Sequence, residues 1–181
     1  LIDYCKKIDL NWLSSPFSVS CVDFLEDHGC LTYKIASFEA TDALLLASIA
    51  STGKPVIMST GGLSEKQIAK SLSFLRSRTS SKIDLLYCVS DYPADASTFN
   101  INVVEAWAKK FSVNVGLSDH SISSGAASVF SYMGATIFEK HVKLSGDETS
   151  IDAKFSLPSE EFERYIWSIM DGEKMRLYQQ R

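Results

Sequence analysis

Six strand-like patterns alternate with helical patterns along the 181 residues, and every strand pattern ends in polar residues. Together these observations predict an α/β chain of the (β/α)8 barrel class, a partial barrel of about six βα units. Near-continuous apolar strands between helices mean a parallel sheet covered by helices. An open doubly wound sheet would use only its switch-point crevice for chemistry. Here the polar ends are Ser14-Ser15, Ser37 with Glu39, Ser59-Thr60, Ser90 to Tyr92, Ser118 to His120 and Glu139 to His141.

The elements follow in order. Asn11 to Ser15 is a short strand, followed by Pro16. Ser20 to His28 is helical, and Gly29 stops it as a C-terminal cap. Leu31 to Ile35 is a strand. Thr41 or Asp42 caps a helix through Ser51, ended by Gly53 and Pro55. Pro55 to Met58 is the next strand. Ser64 and Gln67 make a capping box for a helix whose apolar Ile68, Leu72 and Leu75 fall on one face. Ile83 to Cys88 is a strand leading into the loop Val89 to Pro93, and Val103 to Phe111 is helical. Two strand patterns ending in His120 and His141 flank a helix from Ile122 to Met133. A last helix runs from Ser159, its expected N-cap, to about Tyr178, with Glu160, Glu161 and Glu163 suiting the helix dipole.

At 45% hydrophobic and 22% charged, the chain can bury one sizeable core, so residues 1–181 read as a single domain. A net charge of −4 without a basic stripe argues against nucleic acid. No apolar run approaches the roughly 18 residues of a membrane span. The opening Leu1 to Lys7 is no signal peptide and reads as the second half of an amphipathic helix. Cys5, Cys21, Cys30 and Cys88 lack CxxC spacing, so reduced cysteines in a cytoplasmic protein are expected. Cys88 leads into a polar loop and could line a site, but core filling is the plainer explanation.

His120 and His141 end consecutive strand patterns separated by one helix. A crossover connection brings such strand ends side by side, where two imidazoles can share one divalent metal. A satisfied polar side chain is the plainer explanation for one such His. Two at equivalent ends, each beside a carboxylate, favour the metal. Ser59-Thr-Gly-Gly62 before a capped helix offers hydroxyls and amides to an oxyanion, and Lys34 on the preceding strand could supply charge. Glu39 could orient a hydroxyl or water, serve as acid/base, or simply cap the next helix. Asp152 lies in a polar loop after the last strand.

Several of these pieces occur together and in order: Tyr33-Lys-Ile-Ala-Ser-Phe-Glu39, Val56-Ile-Met-Ser-Thr-Gly61, Leu86-Tyr-Cys-Val-Ser-Asp-Tyr-Pro93, Gly116-Leu-Ser-Asp-His120, Phe138-Glu-Lys-His141 and Ile151-Asp-Ala-Lys-Phe-Ser-Leu157. The combination resembles the sialic acid synthase family, which makes nine-carbon nonulosonic acids, from about Leu10 to Ile169. Phe38, where sialic acid synthases usually have Gly, and the segment 151–157 look more like the pseudaminic acid synthase branch. Thr149-Ser-Ile151 departs from the usual glycine-rich approach to Asp152.

The resemblance implies condensation of phosphoenolpyruvate with the open-chain aldehyde of an amino sugar. It implies that Lys34, Ser37, Ser59, Ser90 and Ser118 hold phosphoenolpyruvate, with Ser15 helping at the phosphate. His120 and His141 would bind manganese, or Mg2+ or Co2+ in its place, and would be catalytic together with Glu39. Tyr92 and Asp152 would contact the sugar. Phe38 implies a 2,4-diacetamido-6-deoxy hexose over N-acetylmannosamine. The alternatives are an N-acetylneuraminate or legionaminate synthase, another metal-dependent barrel aldolase, or an inactive barrel fragment. Family members begin with two more strands, end in an antifreeze-like domain and form homodimers. The chain is accordingly expected to lack the first two strands and that domain, and to be marginal, edge-pairing and inactive in isolation.

Overall fold

The computed structural model describes residues 1–179. The chain forms two compact units, one from Leu1 to Asp84 and one from Leu85 onward. No helix among the described residues is long and apolar enough to cross a membrane.

The first unit contains α1 (Ile2–Lys7), α2 (Val19–Asp27), β1 (Tyr33–Ile35), α3 (Ala43–Ser51), β2 (Val56–Ser59) and α4 (Glu65–Arg76). β1 and β2 pair in parallel, with Lys34 opposite Ile57. The strand expected over Asn11–Ser15 is reduced to one bridge, Ser14 to Tyr33. Pro16 has no N–H to continue a ladder. α2 starts earlier than its apolar pattern suggests, because the Ser18 hydroxyl accepts from the Cys21 amide. Asp42, not Thr41, caps α3, accepting from Leu44 and Leu45 N–H. A 3-10 turn, Glu39–Thr41, precedes it.

The Ser64–Gln67 capping box is present in both directions. It starts α4 in the register that buries Ile68, Leu72 and Leu75. Ser71, on the same face, donates to the Ala40 carbonyl at 2.5 Å and ties α4 to the 3-10 turn. The core of this unit is Tyr33, Ile35 and Met58 from the strands with Leu45, Leu46 and Ile49 from α3.

The second unit contains the pairing residues of β3 (Ile83–Cys88), then α5 (Val103–Phe111), β4 (Val115–Asp119), α6 (Gly125–Tyr132), β5 (Phe138–Lys140) and α7 (Ser159–Gln179). β4 lies between β3 and β5 and pairs with both in parallel. α6 begins three residues after Ile122, since the Asp119 carboxylate accepts the Ser121 amide and Ser121 donates to the Ser123 carbonyl. Those short-range bonds hold the segment as a turn. Ser159 opens α7 instead of capping it; the Pro158 carbonyl receives the Glu161 and Phe162 amides. Tyr87 stacks on Phe130 at 5.6 Å and meets Trp107 edge-on at 5.8 Å.

α6 and α7 pack closely around Ala127, Leu157 and Tyr165, flanked by Phe138, Phe162 and Ile169. Gly172 makes the approach of α7 to α6 feasible. A Cβ there would stand 2.2 Å from the Ser128 carbonyl oxygen and 3.0 Å from Ser131 Cβ. Helix propensity alone would make Gly172→Ala stabilising by about 1 kcal/mol. Overpacking against an immovable backbone oxygen costs about 1–3 kcal/mol and wins. Gly172→Ala is therefore expected to lower the urea midpoint without changing its slope; an unchanged or higher midpoint would show that the helices can part freely.

Candidate active site

Alternation along two adjacent strands builds the chemistry of the second unit. Side chains two residues apart share a face, so Ser118 on β4 and His120 just past its end fall on one side, as do Glu139 on β5 and His141 just past its end. The register sets Ser118 opposite Glu139 and Asp119 opposite Lys140. Ser118 donates to Glu139 Oε1 at 2.7 Å. On the other face, Lys140 Nζ lies 3.8 Å from Asp119 Oδ1, with both side chains almost wholly buried.

The pairing carries the two imidazoles to neighbouring strand ends, with ring centres 5.6 Å apart and planes at 52°. His120 is buried. Its Nδ1 lies 2.8 Å from the Val89 carbonyl. A carbonyl only accepts, so Nδ1 carries the proton and Nε2 keeps its lone pair. The His120 carbonyl in turn accepts the Ala94 amide at 3.0 Å. Between those two bonds the loop carries Tyr92, whose ring lies over His120 at 4.1 Å. Cys88 Sγ is 3.8 Å from His120 Nδ1 and 4.0 Å from Ser90 Oγ.

His141 is half-buried, and its Nδ1 is 3.5 Å from Asp152 Oδ2. Phe155 meets it edge-on at 5.0 Å and meets Tyr92 at the same separation. The backbone beyond is held too: the His141 carbonyl accepts the Leu157 amide, and Leu157 returns a carbonyl to Lys143 N–H. Burial lowers the pKa of both imidazoles. The neighbouring His120 lowers His141 further, while Glu139 and Asp152 oppose this in part. Burial also raises the Tyr92 phenol, and the neighbouring Cys88, Glu139 and Asp152 add to it.

Two neutral imidazoles, one with its tautomer held by a carbonyl, are the donor set that a borderline divalent ion takes. Two imidazoles on one ion at about 2.1 Å hold their ring centres no more than roughly 6.5 Å apart, and this pair lies within that limit. Among the described residues no group of three or more His, Cys, Asp and Glu side chains is arranged to hold a metal. An ion here would take two protein ligands, leaving its other positions to water or substrate oxygens.

In the first unit, Lys34, Ser37, Ser59 and Thr60 are buried at the ends of β1 and β2. Ser59 Oγ is buried without a hydrogen-bond partner, which marks a place for a ligand oxygen. Lys34 Nζ reaches the Ile35 carbonyl at 3.5 Å. The Gly61 amide donates to Ser37 Oγ at 2.9 Å, and Gln67 Oε1 occupies the Ser64 amide. Those two amides are therefore committed internally. Glu39 is half-buried on the 3-10 turn, Ser15 is half-buried beside the Ser14 bridge, and Phe38 is 84% exposed.

Glu139, Lys140 and Phe155 were not among the candidates read from the sequence. Glu139 had a signal: it lies two residues before His141, on the same face. Phe155 lies within the quoted segment 151–157 but on a short 3-10 turn, Ala153–Phe155, whose three residues carry no periodicity to single it out.

The family model described as NeuB family matches residues 1–180. A pseudaminic acid synthase of Helicobacter pylori is 35% identical over 169 residues, 93% of this chain and 50% of that protein. An N,N'-diacetyllegionaminic acid synthase of Campylobacter jejuni is 31% identical, over 96% of this chain and 53% of that protein. The crystal structure of an N-acetylneuraminic acid synthetase from Leptospira borgpetersenii, in complex with citrate, superposes with a TM-score of 0.90 at 27% identity, covering 96% of this chain and 60% of that one. Parallel pairing in sequence order and this likeness bear out the fold class, a partial (β/α)8 barrel. The chain spans about half the length of the curated relatives it matches.

The lowered imidazole values have a consequence for stability. The unfolded chain takes up protons near the ordinary 6.5, before the folded chain does. Stability is therefore full above that value and is lost as pH falls through it and through the lower folded values. Urea midpoints should fall between pH 7.5 and pH 5, and His141→Gln should flatten that fall; an equal fall in the variant would assign it to other groups.

Proposed function

The chain belongs to the NeuB family, and on that premise we propose that its protein condenses phosphoenolpyruvate with the open-chain aldehyde of an N-acetylated amino sugar. The product is a nonulosonic acid of the pseudaminic type, released with inorganic phosphate. The observation that carries the reading is the imidazole pair at adjacent strand ends, ring centres 5.6 Å apart, with His120 Nδ1 bound to the Val89 carbonyl and Nε2 left facing away from that bond.

The enol carbon of phosphoenolpyruvate attacks the aldehyde carbon, water adds to the resulting cation, and phosphate leaves. His120 and His141 hold manganese or a like ion, which when bound supplies Lewis-acid polarisation of the aldehyde oxygen. The other steps rest on this chain's side chains. Lys34 and the orphaned Ser59 hydroxyl bind the phosphate end, with Ser37 and Ser15 as further polar contacts. Ser118 is committed as a donor to Glu139, so toward phosphoenolpyruvate it serves while holding that carboxylate beside the imidazoles. Ser90 lies on the loop that carries Tyr92. Tyr92, Asp152 and Phe155 make the sugar wall around His141, and Glu39 moves a proton or orients water in the first unit's cluster.

The pseudaminic branch is supported by Phe38, whose ring is largely open to solvent, and by pseudaminic acid synthases at 35% and 36% identity against 31% for the legionaminic relative. An apolar ring suits the methyl of a 6-deoxy sugar. A 6-hydroxyl against it loses hydration at a cost of about 1–3 kcal/mol.

The deciding experiment is phosphate release from phosphoenolpyruvate by the full-length protein with a panel of amino sugars, with and without chelator. Release is expected with a 2,4-diacetamido-6-deoxy hexose and Mn2+; release without any added sugar, or none with every sugar, would overturn the reading. His120→Ala or His141→Ala should abolish Mn2+ binding in calorimetry. Lys34→Ala should weaken phosphoenolpyruvate by roughly 10- to 100-fold, the worth of a charge-assisted hydrogen bond, and leave the sugar KM near its parent value. Equal losses for both substrates would make Lys34 structural.

A further inference from the structure

Lys140 lies immediately before His141, yet its side chain turns to the opposite face and is 1% exposed. There Nζ donates to two backbone carbonyls, those of Asp119 and Ser121. These residues bracket His120. The same Nζ is 3.8 Å from the Asp119 carboxylate and 5.6 Å from the centre of the Tyr165 ring, which α7 supplies. Asp119 Oδ1 accepts the Ser121 amide and so braces the turn from within.

We infer that Lys140 is a positioning residue that sets the spacing of the two imidazoles, tying the backbone on both sides of His120 to the residue that precedes His141. The inference rests on the metal-site reading of the His pair and adds a residue to it. β5 is only three residues long, and its register with β4 ends at Asp119 opposite Lys140. Among the described residues no ladder pair continues beyond that point to hold His120 against His141. Three interactions from one ammonium group replace the missing ladder. A solvated lysine could not do this, because water would compete for each carbonyl. Burial beneath Tyr165 removes that competition. Ligands placed by such outer contacts typically lose 10- to 100-fold in metal affinity when the contact is removed.

The test separates positioning from mere stability. Lys140→Met leaves Asp119 buried and unpaired, which can unfold the unit. The double variant Asp119→Asn, Lys140→Met removes both charges and keeps the oxygen that accepts from Ser121. Both are made in the full chain, with thermal melting as the folding check. Two readouts are taken. Calorimetry with Mn2+ measures affinity, and long-range 1H–15N spectra of the metal-free protein report the His120 tautomer. The parent is expected in the Nδ1–H form. The folded double variant is expected to show a tautomer mixture and at least tenfold weaker Mn2+ binding. A folded double variant with parental tautomer and parental affinity would overturn the positioning role. A parent that holds its tautomer but binds no Mn2+ would sink the metal reading instead, and the tautomer of the variant would then decide the role of Lys140 alone.

Discussion

The arrangement of the second unit depends on one register. With Ser118 opposite Glu139 and Asp119 opposite Lys140, alternation assigns one pair to each face. The first is a hydrogen bond beside the imidazoles, and the second is an ion pair buried against Tyr165. A slip of one residue would exchange the faces. Glu139 would then lie under α7 without a partner, and Lys140 would enter the site. Neither a lone buried carboxylate nor a lone buried ammonium is tolerable. The opposed charges therefore act as a lock on register more than as a source of net stability, since desolvation offsets most of their attraction.

The consequences reach outward along α7. Tyr165 covers the ion pair, and burial followed by the Asp119 charge holds its phenol far above the ordinary range. It can do so because α7 approaches α6 closely, which requires the absence of a side chain at Gly172. A backbone contact between two helices thus supports an ion pair, which supports a strand register, which places two imidazoles. The coupling runs through packed groups with few alternative arrangements.

The first unit uses a different economy. Within its polar cluster, Ser59 Oγ is buried without a hydrogen-bond partner. Its nearby amides are partly spent on the local structure, at Gly61 and at the start of α4. Together these facts give a surface with hydroxyl and lysine donors at fixed positions and one deficit that a ligand oxygen can fill.

The alternation of strand and helix, the cap at Ser64, β3 and α5 to their end residues, and the polar character of each strand end were all legible in the sequence. They follow from periodicity and local hydrogen bonding, which a chain carries in its own order. The strand expected at Asn11 was not legible as a single bridge, which Pro16 cuts short, nor was the late start of α6, which depends on local bonds of Asp119 and Ser121 that compete with the helix. His120 and His141 could be picked out as candidates. Their separation, the carbonyl that orients His120, the wall made by Tyr92 and Phe155, and the grip of Lys140 could not. Each of these is a contact between residues distant in the chain, and its energy exists only after the strands have paired and excluded water.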